Sequence, residues 1–399
     1  MSLENTVSAQ RIHISFFGKR NAGKSSLVNA VTGQKLSVVS DVPGTTTDPV
    51  KKSMELLPLG PVVIIDTPGF DDEGELGAMR VGKTREILGK TDIAVFVTDA
   101  RGEPDSEEAK FIQVLKDKNI PLIIVRNKAD LIKEIPEPAE GEIWVSAVKN
   151  TNTDKLKDML AQLAKARPND RRIVGDLIDE GDIIILVTPI DESAPKGRLI
   201  LPQQQTIRDI LDSGCTAIVC QDGQLTSTLA ALKAPPKMVI TDSQAFGRVS
   251  AMVPSEIPLT SFSILFARYK GDLATQVKGA AMLSRLKDGD KILISEGCTH
   301  HRQCGDIGTV KLPAWIKKFS SADISFDFTS GGEFPEDLSP YSLVVHCGGC
   351  MLNEVEMRHR ISTASKAGVP IVNYGVAIAH INGILKRSLE LFPEVLTLL

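Results

Sequence analysis

The sequence predicts an α/β protein of three domains. The first is an N-terminal phosphate-loop (P-loop) domain on a mostly parallel sheet, and two smaller α/β domains follow. Three observations predict this. Apolar runs that end in polar residues or glycine alternate with helical patterns along most of the chain, as parallel strands joined by crossover helices do. Gly18-Lys19-Arg20-Asn21-Ala22-Gly23-Lys24-Ser25 fits the phosphate-loop pattern G-x-x-x-x-G-K-[ST]. All six cysteines lie in the second half of the chain, two of them as the C-x-x-C pair Cys347 and Cys350.

In the first domain, residues 1–168, the strand-like runs are RIHISFFG, VVIIDTPG, IAVFVTDA, PLIIVRNKAD and EIWVSA. Each ends in the polar or glycine residues that carry function at the C-terminal edge of a parallel sheet. ARPNDRR, Ala166 to Arg172, is polar and reads as a linker. The second domain, residues 176–262, opens on the strand-like IIILVTPI. It continues with helix-like Gln203–Leu211, strand-like Thr216–Val219, helix-like Leu225–Leu232 and strand-like Met238–Thr241. The third domain, residues 265–399, carries the strand-like runs KILISEG, ISFDFTSG, SLVVHCGG and PIVNYG. Cys298 and the HCGGC stretch each follow one of these runs. In an open parallel sheet such positions converge on one crevice.

Composition narrows the function classes. The 399 residues carry a net charge of −4, with 42% apolar and 24% charged residues. That balance gives no electrostatic footprint for nucleic acid or an anionic membrane. No run approaches the roughly 18 apolar residues of a membrane span. The start MSLENTVSAQRIH has no apolar signal core, so a cytoplasmic location is expected. In a reducing compartment, clustered cysteines point to metal or redox chemistry rather than to disulfides.

The stretch GKRNAGKSS, Gly18 to Ser26, follows a strand and opens a helical pattern, the context a phosphate loop requires. Glycines such as Gly18 and Gly23 let backbone N–H groups, with those of Asn21, Ala22 and Ser26, curl around phosphate. Lys24 would reach the β- and γ-phosphates, and Ser25 would ligate Mg²⁺. Asp66-Thr67-Pro68-Gly69 ends an apolar strand; Asp66 would hold Mg²⁺ through water, and the Gly69 N–H would sense the γ-phosphate. The segment Pro43–Asp48 supplies a switch threonine. Asn127-Lys128-Ala129-Asp130 ends another strand. The Asp130 carboxylate would pair with the two donors on guanine that adenine lacks, and Ser146-Ala147 would complete the base pocket. Four motifs in this order read as a GTPase.

These residues resemble the TrmE–Era–EngA group of GTPases. There the position after DTPG is apolar where other GTPases carry a water-orienting glutamine; here it is Phe70. The resemblance implies that Asn21 ligates a K⁺ that supplies the missing transition-state charge, and that Thr46 is the Mg²⁺ threonine of switch I. The departure is Thr47, where that group has arginine. Asn21, Lys24, Thr46, Asp66 and Gly69 are thus the expected catalytic set.

Thiolates are soft ligands, suited to Zn²⁺ or an iron–sulfur cluster. Cys347-Gly348-Gly349-Cys350 lets two sulfurs reach one centre. A further ligand would come from Cys298-Thr299-His300-His301, with Cys304 nearby. On chemistry alone, a structural Cys₃His zinc site and an iron–sulfur cluster both fit. Cys215 and Cys220 flank the strand-like CTAIVC and read as small core residues.

A TrmE-like GTPase domain, a middle module and a third domain with Cys298-Thr299-His300 and His346-Cys347-Gly348-Gly349-Cys350 resemble, over the whole chain, the FeFe-hydrogenase maturation GTPases, HydF. The resemblance implies that the middle domain makes a homodimer. It also implies that Cys298, Cys347 and Cys350 hold a 4Fe–4S cluster, with Glu296, His300 and His346 as candidates for a fourth, replaceable ligand. The implied role is that of scaffold or carrier for the diiron subcluster of the hydrogenase active site. The implied partners are two radical-SAM maturases and the hydrogenase apoprotein, with no nucleic acid and no membrane. The alternatives are a TrmE-like GTPase acting on tRNA or ribosome with a structural zinc site, and a redox enzyme using a cluster for electron transfer.

Overall fold

The run RIHISFF forms β1 (Ile12–Phe17), buried along nearly its whole length at the middle of a six-stranded sheet. The computed structural model describes residues 11–34, 50–70, 84, 86–166, 171–189, 199–297, 307–349 and 351–399. The chain divides into two units, Met1–Asn169 and Asp170–Leu399. In the first, β2 (Val50–Leu56), β3 (Gly60–Asp66), β4 (Ile93–Asp99), β5 (Leu122–Asn127) and β6 (Glu142–Val145) join β1 in the order β2-β3-β1-β4-β5-β6. All pairings are parallel except β2 with β3. The run Ile93–Val97 of β4 is continuously apolar and buried, as a parallel strand covered on both faces requires.

β2 escapes the sequence pattern. Its run VKKSMEL exposes Lys51, Lys52, Ser53 and Glu55, and turns only Met54 and Leu56 inward. That is an edge strand, where charge blocks further pairing. Helix α1 (Lys24–Thr32) is set between two left-handed glycines, Gly23 at φ 88° and Gly33 at φ 65°. Helix α2 (Ser106–Asp117) starts at a capping box in which Asp105 accepts from the Glu108 N–H and Glu108 accepts from the Asp105 N–H. Helix α3 (Thr153–Ala166) closes the unit.

The second unit holds two four-stranded, all-parallel sheets. One comprises β7 (Ile183–Val187), β8 (Thr216–Cys220), β9 (Met238–Thr241) and β10 (Leu259–Ser261), in the order β10-β9-β7-β8. The other comprises β11 (Lys291–Ser295), β12 (Ser325–Thr329), β13 (Leu343–His346) and β14 (Ile371–Asn373), in the order β12-β11-β13-β14. Their helices are α4 (Leu201–Asp212), α5 (Leu225–Ala231), α6 (Phe246–Ser250), α7 (Phe262–Lys270), α8 (Leu273–Ala280), α9 (Leu312–Ser320), α10 (Glu354–Lys366) and α11 (Tyr374–Ile381).

One buried cluster joins both sheets, running from Ile184, Leu186 and Ile240 through Phe262 and Leu265 of α7 to Ile292, Ile294 and Val345. The expected boundary at 262–265 therefore falls inside α7. The expected start at 176 omits Ile173 and Val174, which are buried in the same cluster. Cys215 and Cys220 are buried core residues. No helix among the described residues is long and apolar enough to cross a membrane.

Candidate nucleotide site and cysteine loop

The phosphate loop links β1 to α1, and its shape depends on two glycines. Gly18 has φ 149°, and a Cβ there would lie 2.1 Å from the Val97 carbonyl oxygen. Gly23 has φ 88°, and a Cβ there would lie 2.3 Å from Asn127 Nδ2. Asn21 is exposed at the loop's turn, with φ 58°. Lys24 is buried, and its ammonium donates to the carbonyls of Gly18 (2.9 Å) and Lys19 (2.8 Å). These bonds hold the charge at the mouth of the loop. No side chain caps the N-terminus of α1. The N–H groups of its first turn, Lys24 to Ser26, are thus directed at an anion site.

Ser25 Oγ donates to Asp66 Oδ2 at 2.7 Å. Asp66 is 1% exposed, and its Oδ1 is buried without a hydrogen-bond partner among the described residues. An orphaned buried carboxylate oxygen beside a hydroxyl fits a hard divalent cation such as Mg²⁺. Beyond Asp66, Thr67 donates through Oγ1 to the Phe16 carbonyl at 2.7 Å, which fastens the DTPG turn to β1. Gly69 is buried. Phe70 stacks on Phe111 of α2 at 4.9 Å between ring centroids and leans on Phe96. Its side chain is therefore engaged by aromatic neighbours. Thr46 and Thr47 lie outside the described residues.

On the base side, Asn127 donates through Nδ2 to the Ala22 carbonyl (3.0 Å) and accepts through Oδ1 from the Ala147 N–H (3.2 Å). One side chain thus ties the phosphate loop to the Ser146-Ala147 turn. Lys128 takes the left-handed conformation, φ 67°, and its ammonium donates to Asp99 at 2.8 Å. Asp130 Oδ1 accepts from the Ser146 hydroxyl at 2.6 Å. That bond holds the Asp130 carboxyl below its usual range, despite partial burial that works the other way. The motif thus presents an ionised acceptor.

In the second unit, β11 and β13 lie side by side with Ser295 opposite His346. Glu296 and Cys347 are therefore the next residues of neighbouring strands. They sit where β12 and β13 leave β11 in opposite directions, the switch point at which open α/β sheets bind ligands. The Cys347 N–H donates to the Ser295 carbonyl at 2.9 Å. Cys347 Sγ accepts from the backbone N–H of Gly297 (3.0 Å) and of Gly349 (3.4 Å). Backbone N–H donors to a cysteine sulfur are the kind of contact that tunes a metal–thiolate site. Both glycines are sterically required: a Cβ on Gly297 would meet Leu352 Cγ at 2.7 Å, and one on Gly349 would meet Met357 Sδ at 2.5 Å. Gly297 and Gly349 precede Cys298 and Cys350 in sequence. Those two cysteines, with His300 and Cys304, lie outside the described residues. Among the described residues no group of three or more His, Cys, Asp or Glu forms a metal-binding cluster.

Of the candidate fourth ligands, Glu296 is half-buried and accepts from the Tyr374 hydroxyl at 3.3 Å. Gly308 makes room for both, since a Cβ there would fall 2.2 Å from Glu296 Oε1 and 2.4 Å from the Tyr374 oxygen. His346 is placed differently. It is 1% exposed, with Nδ1 2.7 Å from the Cys347 carbonyl and Nε2 3.0 Å from Arg360. Since a guanidinium only donates and a carbonyl only accepts, the ring is the neutral Nδ1–H tautomer. Burial, together with the Arg360 charge, brings its pKa down to about 3. Both ring nitrogens are engaged, so His346 supports the loop from beneath.

Two buried cations here were not singled out by the sequence. Arg360 is fully buried and donates to Glu356, Ser295, His346 and the Gly331 carbonyl. Lys270, at the end of α7, donates to the carbonyls of Gly349 and Leu352, at 3.0 Å each. The Glu356–Arg360 spacing of four on a polar helix was a weak signal for an ion pair. Lys270 gave none, since its partners are carbonyls about 80 residues away.

Comparison with known families matches three stretches of the chain. Residues 173–271 match the hydrogen maturase F dimerization domain, and residues 274–391 match the hydrogen maturase F tetramerization domain. Residues 13–128 match the 50S ribosome-binding GTPase family. The first unit is similar to the tRNA modification GTPase MnmE of Endomicrobium trichonymphae, at 42% identity over 124 residues, or 30% of this chain and 27% of that protein. It is also similar to the GTPase Era of Heliobacterium modesticaldum, at 35% identity over 159 residues, or 37% of this chain and 53% of that protein. The chain thus spans about a quarter to a half of these relatives. Among solved structures, Era in complex with MgGDPNP and a 16S ribosomal RNA segment matches at 20% identity, covering 53% of this chain and 94% of that one, with a TM-score of 0.33.

Proposed function

Since the chain belongs to the hydrogen maturase F family, we propose that it is a GTP-hydrolysing scaffold or carrier that assembles or delivers the diiron subcluster of the FeFe-hydrogenase active site. Its N-terminal unit is a GTPase domain, and its second unit carries a dimerization and a tetramerization domain. In this reading the hydrogenase apoprotein and two radical-SAM maturases are the partners.

In the GTPase domain, the loop from Gly18 to Ser26 cradles the phosphates, with Lys24 facing the β- and γ-groups. Ser25, Asp66 and Thr46 hold Mg²⁺, which screens the phosphate charge. Asn21 holds K⁺ at the outer rim of the loop, and the Gly69 N–H binds a γ-phosphate oxygen. Asn127, Lys128, Asp130, Ser146 and Ala147 hold guanine. Phe70 carries no group that orients water, so charge compensation comes from the cations.

In the second unit, Cys298, Cys347 and Cys350 hold a 4Fe–4S cluster. The observation that carries this is the Cys347 sulfur, which takes N–H bonds from the residues just before each of the other two cysteines. The cluster would supply an iron with one replaceable ligand, to which the cargo attaches. Glu296 and His300 are the proposed sources of that ligand. Glu296 is favoured because it follows β11 next to Cys347 in strand register, and its carboxylate accepts from Tyr374 in room that Gly308 leaves.

Anaerobic purification followed by iron, sulfide and zinc assays and EPR tests the reading. Iron with sulfide is expected. Cys298→Ala, Cys347→Ala or Cys350→Ala should each remove most of it and abolish hydrogenase activation while sparing GTP hydrolysis; Cys215→Ala, Cys220→Ala and Cys304→Ala should retain it. Zinc alone would overturn the proposal and favour a tRNA- or ribosome-directed GTPase.

A further inference from the structure

The buried ammonium of Lys270 has no part in the chemistry described so far. Lys270 is 4% exposed and closes α7, the last helix of the dimerization match. Its ammonium lies over the Phe266 ring, 6.0 Å from the centroid. Its head leaves that match altogether. It donates to the Gly349 and Leu352 carbonyls, which bracket Cys350 in sequence and lie within the tetramerization match.

The surroundings are fitted closely. A Cβ on the next residue, Gly271, would meet Gln276 Nε2 at 2.8 Å and Ile361 Cδ1 at 2.9 Å. The turn after Lys270 is thus pressed against α8 and α10. The Leu352 N–H donates to the Gly349 carbonyl at 3.0 Å, closing the turn whose two ends Lys270 grips. Next comes Asn353, which caps α10 by accepting from the Glu356 N–H at 3.0 Å. A lysine ammonium is costly to bury, and carbonyl oxygens offset that cost only in a fixed arrangement. The loop is accordingly tied down by a residue from the neighbouring module.

We infer that Lys270 is a positioning residue for the cysteine loop. Its ammonium fixes the Gly349 and Leu352 carbonyls, and with them the turn that follows Cys347, and it sets a permanent positive charge on that turn. The electrostatic half of this inference rests on the iron–sulfur reading above; the mechanical half does not. A fixed positive charge near an anionic cluster favours the reduced state, since net charge and hydrogen bonding around the sulfurs set cluster potentials.

Lys270→Met keeps the stem and removes the charge. Lys278→Met, an exposed lysine on α8, is the control. Hydrogen exchange on the metal-free full chain should show the Leu352 amide exchanging at least tenfold faster in Lys270→Met, with no change in Lys278→Met. In the iron-loaded protein, Lys270→Met should shift the one-electron reduction constant roughly tenfold toward the oxidised form, a fall of about 59 mV. Iron should also pass to a chelator several-fold faster. If Lys270→Met folds, as judged by circular dichroism and oligomer mass, and the Leu352 exchange is unchanged, the inference is wrong. If Lys270→Met does not fold, Lys270→Gln, which keeps a neutral donor, is judged by the same exchange measurement. An unmodified protein that holds no iron would refute the cluster reading while leaving the exchange test of Lys270 intact.

Discussion

At the scale of single residues, Asp130 is the side chain proposed to select the base. Its carboxylate accepts from Ser146 on Oδ1, and that bond keeps it ionised. In Asp130→Asn the group facing two guanine donors becomes an amide that accepts at only one. GTP binding should weaken by about 1.5–3 kcal/mol, the worth of a charge-assisted pair. Isothermal titration with GTP and ATP checks this, and unchanged GTP affinity would place the selectivity elsewhere. Asn21 makes a separate case. It is exposed at the rim of the loop, and Phe70 supplies no water-orienting amide. Hydrolysis is expected to be slow in Na⁺ and faster in K⁺, and Asn21→Ala should flatten the difference. Equal initial rates of the unmodified protein in the two salts would rule out the K⁺ assignment.

At the scale of elements, the sequence made visible the features whose signals are local. The phosphate loop, the strand-end NKAD and DTPG motifs and seven of the eight strands of the second unit, all but the three-residue β10, show in the sequence because strand periodicity and strand-end chemistry are short-range properties. β2 did not, because an edge strand with three of its first four residues exposed and polar lacks the apolar run by which its neighbours were recognised. The support beneath the cysteine loop was hidden for a different reason. Arg360 reaches Ser295, His346 and Gly331 across three other segments, and nothing near it in sequence marks those partners. His346 looked like a ligand from its place before Cys347, and only the fold shows it bonded to Arg360. Arg360 therefore joins α10 to β11 and β13. Arg360→Met should cost about 3–5 kcal/mol, because Glu356 would be left buried without its partner. The second unit's own tryptophan, Trp315, offers the measurement. In a Trp144→Phe background it alone reports urea unfolding of that unit. Adding Glu356→Gln to Arg360→Met should recover part of the loss; no recovery would mean that the cost lies elsewhere than in the orphaned carboxylate.

At the scale of the whole molecule, the division of labour follows the division of the core. The first unit has its own buried clusters, and the second has one that runs unbroken through both of its sheets. The two family matches in the second unit thus share one interior, and cutting between them would expose it. A fragment from Asp170 to the end should keep what the whole chain does without GTP: oligomer formation and iron retention. Where that fragment begins matters. Ile173 and Val174 are buried in the shared cluster, and the N–H groups of Val174 and Gly175 both donate to Asp209 at 2.8 Å. A fragment from Asp176 loses both side chains, each worth roughly 1.5–3 kcal/mol when fully buried. It also leaves Asp209 without two donors. The longer fragment is expected to melt at least several degrees above the shorter one and to bind more iron. Light scattering, iron assay and thermal melts on the two fragments decide the matter. Equal melting temperatures would show that residues 170–175 add nothing to the second core. A longer fragment that is monomeric and iron-free would show that the second unit depends on the GTPase domain for more than regulation.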